Sequence, residues 1–255
     1  MGKVAGITNE VAVNLAAIRE RISAACMRSG RDPAGVKLVG VTKTVPVETI
    51  REGIEAGIEI LGENYIQEAK RKIEALAGLP VSWHCIGHLQ INKARTAIEC
   101  CDWIETLDRE TLAVELNRRA QSAGRKVPVL IQVNIGGEES KSGVHPDDLN
   151  SFFEVVSGFD WMDVRGLMAL PPFFDQPERA RPYFRKMRTL LDMLREKSPR
   201  AERLTELSMG MSGDFEVAIE EGATLVRIGT AIFGKRNKSN SSPPGTENTE
   251  KGLIR

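Results

Sequence analysis

Eight short runs rich in β-branched residues recur along the chain, and segments of helical periodicity separate them. The runs are "VKLVGVTK" 36–43, "IEILGE" 58–63, "SWHCIGH" 82–88, "DWIETLD" 102–108, "VPVLIQVNI" 127–135, "DVRGLMAL" 163–170, "TELSMG" 205–210 and "TLVRIGT" 224–230. Between them, "VETIREGIEAG" 47–57 repeats Ile50, Ile54 and Ile58 at helical spacing, "LAVELNRRAQSAG" 112–124 closes on a glycine, and residues 176–197 form the longest helix of the series. Strand–helix alternation on this scale predicts an α/β fold with a parallel sheet, closed as a single (β/α)8 barrel. An amphipathic segment at 9–29 adds one helix before the first strand. A doubly wound open sheet is the competing arrangement, but no GxGxxG follows the first strand.

No linker divides the alternation, so residues 1–236 read as one barrel domain. The segment 237–255, "NKSNSSPPGTENTEKGLIR", reads as a disordered polar tail. Lysine plus arginine and aspartate plus glutamate number 35 each, a balance that gives no field to attract nucleic acid. No apolar run approaches a bilayer span and no signal peptide opens the chain. Four cysteines without CxxC spacing predict reduced thiols and a cytoplasmic protein. No extra interface element stands out, and a monomer is expected.

A parallel barrel places its chemistry at the carboxyl ends of the strands, often with a phosphate at strands seven and eight. There the chain reads "LSMGMSGDFEVAIEEGATLVRIGTAIFG" (207–234), two clusters of hydroxyls and glycines. Ser208, Gly210, Ser212 and Gly213 precede a helix expected near Asp214, and Gly229 and Thr230 precede a further helical turn. Each cluster alone is also what an ordinary capped turn needs. Lys43 ends the first strand on the face of Val39 and Val41, so it points inward if they do. Desolvation and a neighbouring cation such as Arg227 would lower its pKa from about 10.4 and favour an imine-forming amine; a solvated strand-end lysine is the plain alternative. Arg227 shares a face with Leu225 and Gly229 and requires an acceptor, either a carboxylate or a ligand. Asn64 is either a helix cap or a rim hydrogen-bonding group. His84 and His88 stand about 13 Å apart along a strand, which rules out a shared metal ion. His84 is expected in the core and His88 at the mouth. Lys141, in the polar loop "NIGGEESKSGV" 134–144, is expected to be solvated.

The succession "GVTKTVP", "GENYIQEAK", "WHCIGHLQINK", "VNIGGEESKSGV", "GLMAL" and the 207–234 stretch resembles the pyridoxal phosphate homeostasis proteins to about Lys235. Cys85 departs from the bulkier residue usual at its position. The resemblance implies a barrel like that of alanine racemases, with pyridoxal 5′-phosphate held as an imine on Lys43. It further implies Asn64 near the cofactor, Ser208, Ser212, Gly229 and Thr230 on the phosphate, and Arg227 facing the pyridine nitrogen. Racemases of this kind supply a second acid/base, a tyrosine, from a β-rich domain. No sequence for that domain follows strand eight, and Tyr65 and Tyr183 fall in helical segments. The expectation is therefore a non-catalytic carrier that passes cofactor to apo-enzymes. A single-domain racemase with His88 as proton carrier and a lysine-dependent aldolase are the competing readings.

Overall fold

The computed structural model describes residues 10–138 and 141–234; the expected tail at 237–255 lies outside them. The strands β1 (Lys37–Val41), β2 (Ile60–Glu63), β3 (Ser82–Cys85), β4 (Trp103–Leu107), β5 (Val127–Val133), β6 (Met162–Ala169), β7 (Glu206–Ser208) and β8 (Leu225–Ile228) close into one parallel barrel in sequence order. β1 pairs with both β2 and β8, so the first and last strands form the closing seam. The expected (β/α)8 architecture is observed.

Strand periodicity divides each strand between an inner face and a face toward the helices. Register places Val39 beside Arg227 and Val41 beside Gly62. At Gly62 the inner packing is tight, for a Cβ there would lie 2.8 Å from Val39 and from Ile86. Leu61, one residue away, belongs to the apolar layer under the helices instead. Gly166 adopts φ +150, and a Cβ on it would collide with the Glu206 carbonyl. Only glycine allows β6 and β7 to approach that closely.

The outer ring follows the same logic. Helices α2 (Val47–Glu55), α3 (Ile66–Ala75), α4 (Ala94–Cys100), α5 (Glu110–Ser122), α6 (Leu149–Ser157), α7 (Arg181–Lys197), α8 (Phe215–Glu220) and α9 (Thr230–Phe233) each follow a strand. The additional helix α1 (Glu10–Arg28) buries Val11, Leu15, Ile18, Ile22 and Ala25, the stripe that its 3–4 spacing predicts. It stands outside the seam, packed on α2, α8 and α9. Arg21 pairs with Glu216 at 3.1 Å and Arg28 with Glu220 at 2.8 Å, while Asn14 Nδ2 donates to the Ile232 carbonyl at 3.1 Å. Among the described residues no helix is long and apolar enough to cross a membrane.

Two sequence boundaries move. β1 ends at Val41, so Lys43 lies in the turn before α2 rather than on the strand. Thr42 and Thr44 carry the β-branched signal onward, but Thr44 has φ +61, which ends any extended run. The long helix expected at 176–197 begins as a 3₁₀ turn, Pro177–Ala180, and is α-helical from Arg181.

Candidate functional site

A chain of polar groups crosses the barrel interior. His84 Nδ1 on β3 lies 2.6 Å from Glu105 Oε1 on β4. Ser208 Oγ on β7 donates to Glu105 Oε2 at 2.6 Å. Arg227 on β8 donates from Nη1 to Ser208 Oγ at 2.5 Å and from Nη2 to the Ala169 carbonyl at 2.8 Å. Contacts running from β3 and β4 to β7 and β8 pass through the inside of the barrel, so these side chains face inward. All four are buried.

Charge accounts for the arrangement. Burial pulls the Arg227 guanidinium below its ordinary pKa, and the nearby Glu105 and Asp214 carboxylates oppose that pull. Burial would raise Glu105, but the hydrogen bond and charge of His84, with Arg227 and Ser208, outweigh it and hold the carboxyl below its usual range. A buried arginine therefore meets a buried carboxylate through one serine hydroxyl, with further N–H donors left over.

Above this network lies the rim. The two hydroxyl–glycine clusters converge, with Thr230 Oγ1 3.5 Å from Ser212 Oγ. Asp214 Oδ1 accepts from the Met211 amide at 2.7 Å and so folds the Ser212 turn back. Gly229 sits against the end of β1: a Cβ there would lie 3.1 Å from the Val41 carbonyl. The glycine thus keeps open the gap between the hydroxyl pair and the strand that leads to Lys43. Lys43 is half-buried in the turn that follows β1, the strand whose Val39 has the inward Arg227 as its register partner.

The mouth also holds a cavity of about 270 Å³ lined by Asn64, Ile86, Gly87, His88, Gln132 and Asn134. A Cβ on Gly87 would meet the Asn64 backbone, so the β3 loop presses directly on Asn64. His88 is half-exposed, with Nδ1 3.0 Å from Ser142 Oγ and 3.3 Å from Asp108. Lys141 contacts Glu138 at 2.6 Å and the Pro171 carbonyl at 3.4 Å. Tyr65 is exposed at the start of α3, and Tyr183 packs on Phe174.

The structure thus gathers Ser212, Gly229 and Thr230 at one rim segment beside β1 and sets Arg227 beneath. Ser208, expected among the phosphate ligands, is instead fully buried, its hydroxyl engaged by Glu105 and Arg227. Asn64 follows β2, the strand next to β1, and lines the adjoining cavity. Glu105 escaped sequence reasoning. Its signal was available, since a lone carboxylate inside the apolar run "WIETL" mirrors the arginine inside "TLVRIG".

Comparison with known proteins agrees with this fold. The family described as "Alanine racemase, N-terminal domain" matches residues 13–237. The pyridoxal phosphate homeostasis protein of Aquifex aeolicus is 49% identical over 222 residues, covering 87% of this chain and 96% of that protein. This chain belongs to that family. Within the family, the structure of PipY from Synechococcus elongatus with PLP bound superposes at a TM-score of 0.75 with 39% identity, covering 85% of this chain and 100% of that one. Alanine racemase from Clostridium difficile shares the fold alone, at a TM-score of 0.67 and 16% identity over 91% of this chain and 57% of that one.

Proposed function

We propose that this member of the family binds pyridoxal 5′-phosphate at the barrel mouth, holds it covalently on Lys43, and maintains the cytoplasmic supply of the cofactor. The observation that carries the reading is the meeting of Ser212 and Thr230 at 3.5 Å beside β1, directly above the buried Arg227. That donor set fits the group: hydroxyls and glycine backbone suit a phosphate, and the remaining guanidinium N–H donors suit an unprotonated ring nitrogen. The bound cofactor would supply a reactive aldehyde and, in enzymes, an electron sink.

Each residue then has a task. Ser212, Gly229 and Thr230 grip the anionic end. Ser208 fixes Nη1 of Arg227, and Ala169 fixes Nη2, which together aim the guanidinium. Asn64 would hydrogen-bond the cofactor from the end of β2, beside β1. Lys43 would hold the aldehyde end, as the nucleophilic amine of the site. A guanidinium donor at Arg227 would leave the ring nitrogen unprotonated, so the bound cofactor would supply a weaker electron sink, which suits holding over turnover. The names of the relatives support a homeostatic role; the proposal adds that the protein acts as a monomer and hands cofactor to apo-enzymes.

One preparation tests both halves of the reading. Borohydride reduction of the PLP-loaded protein, followed by peptide mass mapping, is expected to label Lys43 and to give no label in Lys43→Ala. The same loaded protein, given a panel of L-amino acids in deuterated water, is expected to show no α-deuterium incorporation at turnover rates. Labelling elsewhere removes the site; rapid stereospecific exchange makes the protein an enzyme.

A further inference from the structure

The turn that carries Lys43 is gripped by residues lying on the helix side of the barrel wall. Lys72, on α3, is 6% exposed. Its ammonium donates to the Thr42 carbonyl at 2.6 Å, to Glu63 Oε1 at 2.6 Å and to Glu68 Oε1 at 2.7 Å. Three donors meet three acceptors, which saturates the group. Glu63 Oε1 also accepts from Thr42 Oγ1 at 2.7 Å, and Glu68 Oε1 from the Thr44 amide at 2.7 Å. The residues on both sides of Lys43 are therefore tied to one buried cation.

Two further features show that the tie acts against resistance. Thr44 is the one non-glycine residue with positive φ among the described residues, at +61, and a β-branched side chain disfavours that conformation. Glu63 is fully buried, yet its Oε2 has no hydrogen-bond partner. A β-branched residue held at positive φ persists only where surrounding contacts over-determine the geometry. Here those contacts converge on the peptide units before and after Lys43.

We infer that Lys72, with Glu63 and Glu68, is a positioning group for Lys43, fixing the backbone from which the amine reaches the cofactor aldehyde. The inference rests on the reading of Lys43 as the cofactor-bearing residue. Lys72 touches neither cofactor nor amine in this role. It holds the Thr42 carbonyl directly and the Thr44 amide through Glu68, so that the Lys43 side chain leaves the turn in one direction.

The test uses the full chain, PLP as probe, and three variants: Glu68→Ala, Lys72→Met and Glu68→Ala combined with Thr44→Gly. Absorbance titration gives the affinity and the imine band, circular dichroism reports folding, and borohydride mapping confirms the label. A misplaced amine is expected to weaken uptake about tenfold in Glu68→Ala, with a shifted band. Lys72→Met is expected to lose more. Thr44→Gly relieves the strain at φ +61 and is expected to restore most of the Glu68→Ala loss, a rescue that a merely stabilising role would not give. Folded Glu68→Ala and Lys72→Met proteins whose affinity and spectrum stay within about twofold of wild type overturn the inference. If Lys72→Met does not fold, Glu68→Ala and its rescue decide. A wild type unlabelled at Lys43 ends the proposed function and this inference together. A labelled wild type with unchanged variants ends only the inference.

Discussion

Cysteine chemistry shows how far one residue's surroundings set its behaviour. Burial pushes the Cys85 thiol up to about 12 and also raises Cys26. At the adjacent pair, the hydrogen bond between the thiols lowers half-buried Cys100 and raises buried Cys101. The thiolate is the form that reacts, so Cys100 is expected to alkylate first with iodoacetamide at pH 8. Cys85 and Cys101 are expected to stay unmodified until the protein unfolds. Time-resolved peptide mapping reads the order, and early labelling of Cys85 would show that strand β3 opens in the native state.

Helix α1 is the element that the barrel pattern does not require, and its packing says what it contributes. Leu15 is 1% exposed in the stripe of the helix that packs on α2, α8 and α9. Leu15→Ala removes a fully buried side chain from that packing and is expected to cost about 2–5 kcal/mol, measured by denaturant unfolding. A loss below about 1 kcal/mol would mean that α1 rides on the barrel without bracing it. The elements themselves were legible because parallel strands are buried on both faces and read as apolar runs, as in "VPVLIQV" of β5. Their ends were less so. β-Branched Thr42 and Thr44 extended the strand signal past Val41, and nothing local marks the positive φ at Thr44. Contacts made between elements were the least legible. Glu63 and Lys72 are nine residues apart in sequence, yet what joins them is the docking of α3 on the end of β2. Likewise Glu105 and Arg227 gain meaning only once the sheet has closed.

At the scale of the whole molecule, ion pairs stitch the outer ring. Hydrogen bonds from Arg118 and Arg119 hold the Glu115 carboxyl down at about 2, and the Arg181 hydrogen bond lowers Glu178 and Glu220. A carboxyl whose folded pKa lies below its unfolded one stabilises the protein fully above the unfolded value and loses that contribution as pH falls through the folded one. Glu63 and Asp214, raised mainly by burial, carry the opposite sign. The lowered set is larger, so the melting temperature is expected to fall as pH drops from 4.5 toward 2. High salt should flatten the slope, because the pairs of Arg118 with Glu115 and of Arg181 with Glu178 are exposed and therefore screened. A melting temperature that rises over that range would mean the buried carboxyls dominate. The seam between β1 and β8 has a temporal consequence. Translation makes Lys43 early and Thr230 late, so under the proposed function a chain still emerging from the ribosome would have its amine and nothing to grip the anionic end of the ligand. On that reading capture waits for the last strand to dock, and the ligand is not taken up half-made.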